Sequence, residues 1–376
     1  MWRLRPPLER FDVVCYTPWA ASLFTPSHSD VPAAGTEIQL SKLAGGLAER
    51  GLRVGMIVIG DGRTLPREAH GVRILPQASR ARTQGSLARI ELATNAVRSM
   101  SGVRTGTLIQ SNAGTTTAVA AAMARLSGAR FVYRSASVVD FEFDALEPRA
   151  LNVRLFEWGI RNASTIVVQT DEQARLCRAR FEREAVVIRS IADPPGGGAK
   201  RPDAFLWVGR LQPLKRPEAY VALARAVPEA RFRMIAVPQP DEPPESRQVV
   251  ESAARLPNFE LLEPRTRAGV AELLGQTVAV VNTSTREGLP NVFLEGWAQG
   301  VPALALSFDP DGLIARRRLG AFADGDPSRL ADEARRMWAQ RGDRAAAAAR
   351  CIEYVSTEHD RDAVVKRWID TVVRSA

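Results

Sequence analysis

Apolar and polar positions fall into two alternating registers along this chain: short continuous apolar runs, and longer stretches with helical spacing. Phe11 to Tyr16 is a run, Thr36 to Arg50 places Ile38, Leu40, Leu43 and Leu47 on one face before Gly51, and Arg53 to Ile59 is a run again. This predicts strand, helix, strand. Thr107 to Gln110, Arg130 to Tyr133, Thr165 to Val168 and Ala185 to Ile188 continue as strands, separated by helical segments Thr115 to Leu126, Pro148 to Arg161 and Asp171 to Phe181. Residues 190–203, with Pro194-Pro195 followed by Gly196 to Gly198, break the pattern. It then restarts with strands at Phe205 to Val208, Arg231 to Ala236, Phe259 to Leu262, Val278 to Val281 and Val301 to Leu306, a helix from Pro290 to Gly300, and helical segments Arg329 to Arg341 and Arg344 to Ser375. Strands alternating with helices imply parallel sheets covered on both faces. The expected organisation is a Rossmann-like domain over 1–190, a linker over 191–203, a second Rossmann-like domain over 204–358, and a last helix over 359–376 that crosses back to the first domain.

Composition adds three points. A chain of 376 residues is long for one core and suits two domains. Its net charge of +9 lies almost wholly in residues 1–190, which hold 25 basic and 17 acidic residues. Only Lys42, Lys200, Lys215 and Lys366 are lysines, so the Arg excess reflects coding bias more than a nucleic-acid partner. A basic first half suits an anionic partner such as a membrane surface, and equally a solvated Arg-rich surface; Trp2 with Arg3 and Arg5, and Leu87 to Met100, are the segments suited to a membrane interface, although Leu87 to Met100 reads first as a helix packed on its own domain. The first 30 residues, broken by Arg3, Arg5, Pro6, Pro7 and Arg10, contain no signal-peptide run, and Cys15, Cys177 and Cys351 have no metal or redox spacing. A cytoplasmic protein is expected, at most peripheral to the inner face of the membrane.

Two strings carry chemistry. Glu287-Gly288-Leu289-Pro290-Asn291-Val292-Phe293-Leu294-Glu295 sets two carboxylates eight positions apart around a helix start, with Pro290 as the first helical residue. Each ionised Glu accepts sugar hydroxyls, and the unpaired N–H groups of about Asn291 to Phe293 attract phosphate. A single Glu there would be explained by the helix dipole alone. Trp207-Val208-Gly209-Arg210-Leu211-Gln212-Pro213-Leu214-Lys215 places Gly209 at a strand end, where backbone approaches a phosphate closely, and two cations suited to a diphosphate. A third, weaker feature is the small-residue loop Pro32-Ala33-Ala34-Gly35-Thr36-Glu37 opening the first long helix.

Together these strings resemble the retaining family 4 glycosyltransferases (glycosyl transferases group 1), whose Glu-Gly-x-Pro-Asn-x-x-x-Glu pattern is matched in full and whose Gly-Arg-Leu-x-x-x-Lys segment is matched by Gly209 to Lys215. The resemblance implies an α/β GT-B fold, two Rossmann-like doubly wound domains facing a central cleft. It assigns Glu287, Arg210 and Lys215 to catalysis, with Gly209, Pro264, Gly288, Leu289, Pro290, Asn291, Val292 and Glu295 also binding the donor. Glu295 would hold the ribose, Glu287 the sugar, and Arg210 with Lys215 the diphosphate. Gly35 and Thr36 form the phosphate or acceptor loop, although Ala34 stands where the family has its first glycine. His28, Arg134, Ser135 and Asp140 are acceptor-side candidates, and the histidine many relatives carry near Arg134 is missing.

The implied reaction moves a sugar with retention from a nucleoside diphosphate sugar to a glycan, lipid-linked or small-molecule hydroxyl, without cofactor or metal. Asp309-Pro310-Asp311 lies beyond the donor loop. A nucleotide-sugar epimerase and an inactive binding subunit share this fold and stay open. A nicotinamide enzyme is disfavoured, since the first strand-helix turn has no Gly-x-Gly-x-x-Gly.

Overall fold

The computed structural model describes residues 9–25, 33–78, 86–143, 147, 149–196, 201–237, 239 and 242–374, so His28 lies outside the described residues. The chain forms two units. One comprises residues up to Ile191 together with Arg361–Ala376, and the other is Ala192–Asp360.

Unit 1 is built on β1 (Glu9–Tyr16), β2 (Val54–Ile59), β3 (Glu68–Ala69), β4 (Val72–Gln77), β5 (Val103–Gln110), β6 (Arg130–Arg134), β7 (Thr165–Val168) and β8 (Val186–Val187), in the order β3-β4-β2-β1-β5-β6-β7-β8. All pairs are parallel except β3 with β4. Helices Gly35–Glu49 and Arg361–Trp368 cover one face through Leu40, Leu43, Leu47, Val364, Val365 and Trp368. Helices Ser86–Ser99, Thr115–Ser127 and Ala150–Arg161 cover the other through Ala96, Ala120, Ala124, Phe156 and Ile160. Cys15, Cys177 and Cys351 are free and buried.

Unit 2 carries β9 (Ala204–Arg210), β10 (Phe232–Val237), β11 (Phe259–Leu262), β12 (Thr277–Asn282), β13 (Ala303–Ala305) and β14 (Gly320–Phe322), all parallel, in the order β11-β10-β9-β12-β13-β14. Both faces are covered, so β12 is buried at every position, which is why Val278 to Val281 reads as an unbroken apolar run.

The structure adds elements that the sequence pattern does not assign. Residues 61–78 contain β3 and β4, the latter with its apolar pattern interrupted by Arg73 and Pro76. The helical stretch Arg344 to Ser375 divides close to residue 359, where the last helix is expected to begin: Ala345–Glu358 buries Cys351, Tyr354 and Val355 in unit 2, whereas the helix from Arg361 buries Val364, Val365 and Trp368 in unit 1. No single straight helix serves both cores. β14 was not anticipated at all. It pairs so closely with β13 that a Cβ on Gly320 would lie 1.9 Å from the Ala303 carbonyl oxygen, and Gly320 has φ +154°.

Candidate donor site in unit 2

The chain enters the unit 2 sheet at β9, builds outward through β10 and β11, then returns to lay β12 on the other side of β9. The strand order therefore reverses between β9 and β12, and their carboxyl ends diverge, which is where ligands of doubly wound sheets bind. Arg210 ends β9, and Lys215 closes a 3-10 turn Pro213–Lys215 just beyond it. Glu287 lies on the loop after β12. Chain topology thus brings together groups about 70 residues apart.

Hydrogen bonds lock these two loops to each other. The Thr283 hydroxyl donates to the Lys215 carbonyl (2.6 Å) and accepts from the Trp207 indole N–H (3.1 Å), while Thr285 N–H donates to the Leu214 carbonyl (3.0 Å). Gly209 serves this arrangement directly, since a Cβ there would lie 3.0 Å from the Trp207 ring. Arg216 takes a left-handed conformation (φ 49°, ψ 57°) to turn the chain into the helix Pro217–Ala226. The backbone carrying Lys215 is consequently rigid before any ligand arrives.

Lys215 Nζ donates to Glu287 Oε1 in a short ion pair. Ser284 Oγ (2.7 Å) and Asn282 Nδ2 (3.5 Å) donate to the same oxygen, and Asn282 Oδ1 accepts from Ser284 N–H (2.9 Å). Among the described residues none bonds Oε2 of Glu287. Arg210 is half-buried, and its guanidinium has no hydrogen-bond or ion-pair partner among the described residues.

Glu295 sits in the helix Asn291–Ala298 and faces Arg267, its Oε1 lying 3.6 Å from a guanidinium nitrogen that also meets Asp193 Oδ2 at 2.7 Å. Gly288, Leu289 and Pro290 are buried and shape the turn, and Asn291 and Val292 are half-buried. Pro290 is not the first helical residue, as expected, but the N-cap. Its ψ of 126° is extended, and its carbonyl accepts the Phe293 N–H at 3.0 Å. That bond removes Phe293 from the N–H groups expected to meet phosphate. Pro264 is exposed on the loop after β11, ahead of Thr266, which caps the helix Arg267–Leu274 by accepting from Gly269 N–H (3.2 Å).

The remaining candidates belong to unit 1. Gly35 is exposed at a helix start, and Thr36 donates to Glu37 Oε2 (2.8 Å), whose Oε1 accepts from Asn112 Nδ2 (3.1 Å). This cluster lies at the reversal of strand order between β1 and β5. Arg134, Ser135 and Asp140 are buried. The Arg134 guanidinium reaches Ser190 Oγ (3.0 Å) and Ser111 Oγ (3.5 Å), while Asp140 Oδ2 accepts from Ser135 Oγ and Ala136 N–H, both at 2.9 Å. Burial lowers the Arg134 pKa to about 10 and raises that of Asp140. These bonds hold the loop after β6 in shape. Arg134→Ala, which orphans part of the network, is expected to cost about 2–4 kcal/mol of unit 1 stability in denaturant titration.

Sequence reasoning passed over Trp207, Thr283, Asn112 and Arg267. Thr283 directly follows a fully buried strand, the one local hint of its bridging role; Arg267 had none.

With this geometry, comparison with known proteins is informative. Residues 202–340 match the family model described as Glycosyl transferases group 1. No curated protein sequence matches. Among solved structures, the chain is similar to a sucrose-phosphate synthase from Thermosynechococcus elongatus (16% identity, TM-score 0.77, covering 94% of this chain and 96% of that one). It is similar also to WaaG, a glycosyltransferase involved in lipopolysaccharide biosynthesis (15%, 0.69, 97% and 100%), and to a trehalose-6-phosphate protein from E. coli bound with UDP-2-fluoro glucose (13%, 0.70, 98% and 100%). The fold is therefore the GT-B fold of two Rossmann-like domains. The family match lies within the second unit. Among the described residues, no helix is long and apolar enough to cross a membrane.

Proposed function

We propose that the chain is a retaining glycosyltransferase of family 4 type that moves a hexosyl or related sugar from a nucleoside diphosphate sugar to a hydroxyl of a glycan, a lipid-linked glycan or a small molecule. The observation that carries this reading is the Lys215–Glu287 pair, held at the strand-order reversal of unit 2, where β9 ends in Arg210, a cation without a partner among the described residues. Lys215 has three N–H donors, one engaged by Glu287, so it can still donate to a diphosphate oxygen. Arg210 supplies a second, planar donor set. As the bond from the anomeric carbon to the diphosphate oxygen breaks, negative charge grows on the leaving group, and these two cations stabilise it most in the transition state. The acceptor hydroxyl attacks from the same face, and its proton passes to the departing phosphate oxygen. Glu287 orients the sugar through Oε2, and Glu295 holds the ribose in exchange for part of its contact with Arg267.

The proposal includes metal independence. Asp309, the first carboxylate of Asp309-Pro310-Asp311, already accepts from Ile314 and Ala315 N–H (2.8 and 3.1 Å), and so caps the helix Leu313–Arg316. Proton NMR of the first product formed from donor and acceptor should show the donor's anomeric configuration, at a rate unchanged by EDTA. An inverted product contradicts the mechanism. Altered sugar nucleotide appearing without acceptor identifies an epimerase instead.

A further inference from the structure

Arg267, the first residue of the helix Arg267–Leu274, presents one guanidinium nitrogen to two carboxylates at unequal distances. Nη2 lies 2.7 Å from Asp193 Oδ2 and 3.6 Å from Glu295 Oε1. The first contact is a charge-assisted hydrogen bond, and the second is longer than a hydrogen bond. Asp193 therefore holds the cation back from Glu295. All three side chains are partly exposed, so a ligand can reach the cluster.

Asp193 is the second residue of unit 2 and belongs to the segment whose prolines and glycines read as a linker. Its backbone is nonetheless anchored on both sides. Ala192 is buried and its N–H donates to the His359 carbonyl (3.1 Å), while the Gly196 N–H donates to the Ala298 carbonyl (2.9 Å), at the end of the helix that carries Glu295. The segment lies directly against that end, since a Cβ on Gly196 would collide with the Gln299 side chain. Asp193 is thus a fixed anchor for Arg267, set on the same helix end as the carboxylate it shields.

We propose that Asp193 is a positioning residue of the donor site: by occupying Arg267 it keeps the guanidinium from closing on Glu295, whose carboxylate then accepts the ribose hydroxyls of a nucleoside diphosphate. The inference rests on the donor-site reading above, in which Glu295 holds the ribose. A guanidinium fork facing a carboxylate unopposed takes both of its oxygens, the same atoms that ribose hydroxyls need. Removing the Asp193 charge frees Arg267 to form that pair and compete with the ligand. An exposed ion pair that only stapled the linker would contribute little, and its loss would not depend on the ribose.

Titration calorimetry of the full chain with UDP, GDP, ADP and TDP, and with the 2′,3′-dideoxy counterpart of whichever binds, tests it. Asp193→Asn should weaken binding of the natural nucleotide by about fivefold, the scale of one competing exposed ion pair. The dideoxy nucleotide should bind the variant and the wild-type chain alike, which also reports that the variant is folded. Adding Arg267→Ala to Asp193→Asn should return the affinity to within about twofold of wild type, because the competitor is gone. Unchanged affinity in Asp193→Asn, a loss shared by the dideoxy nucleotide, or a loss that Arg267→Ala does not relieve overturns the proposal and leaves the donor site standing. Wild-type binding no weaker for the dideoxy nucleotide overturns it too, by removing Glu295 from the ribose. Binding of none of the four overturns the donor-site reading, and this inference with it.

Discussion

Glu287→Ala is expected to lower kcat for transfer by about 10²–10³-fold, the scale seen when one preorganised group that acts on the transition state is removed. Loss of the carboxylate removes the sugar contact and also releases Lys215, whose ammonium is held by Glu287 Oε1. Lys215→Ala should cost a similar factor by deleting a cation facing the leaving diphosphate. Because the two side chains form one unit, the double variant should lose little more than either single one. Glu287→Gln separates the contributions. It keeps an acceptor for Ser284 Oγ, now at 2.7 Å from Glu287, but removes the charge that positions Lys215, so its kcat should fall toward that of the Ala variant. Additive losses in the double variant would show that the pair does not act as a unit.

Arg210→Ala should reduce kcat/KM by a comparable about 10²-fold while changing stability by no more than about 0.5 kcal/mol. This combination is specific. An arginine held for structure is paired, and removing it orphans its partner, as expected for Arg134 with Ser190 and Ser111. Arg210 has no partner among the described residues, so its removal orphans none of them. Lys at 210 should restore part of the activity, as a point charge in place of a planar fork. A marked loss of stability with normal turnover would reassign Arg210 to the scaffold.

The candidate-site strings were legible because the buried parallel strands read as apolar runs, with Gly209 to Lys215 spanning the end of β9 and Glu287 to Glu295 lying a short loop beyond β12. Their union was not legible. Lys215 and Glu287 meet because β12 lies beside β9, and adjacency across a sheet leaves no mark in either string. β4 and β14 escaped notice for local reasons, the first broken by Arg73 and Pro76, the second only three residues long and led by Gly320. Arg134, Ser135 and Asp140 show the opposite failing. Polar residues at a strand end look alike whether they face substrate or one another, and here Ser190, distant in sequence, supplies a partner for Arg134. The same blindness hid Arg267, which links Asp193 and Glu295 across three separate segments.

The most direct test of the donor site is thermal unfolding of the full chain with UDP, GDP, ADP and TDP, each with magnesium and with chelator. One nucleoside diphosphate at about 100 times its Kd should add about 2.7 kcal/mol of stability, equally in chelator, and the gain should shrink in the Arg210→Ala protein. No stabilisation by any of the four, or stabilisation that Arg210→Ala leaves unchanged, would contradict the assignment of this strand-order reversal as a diphosphate site.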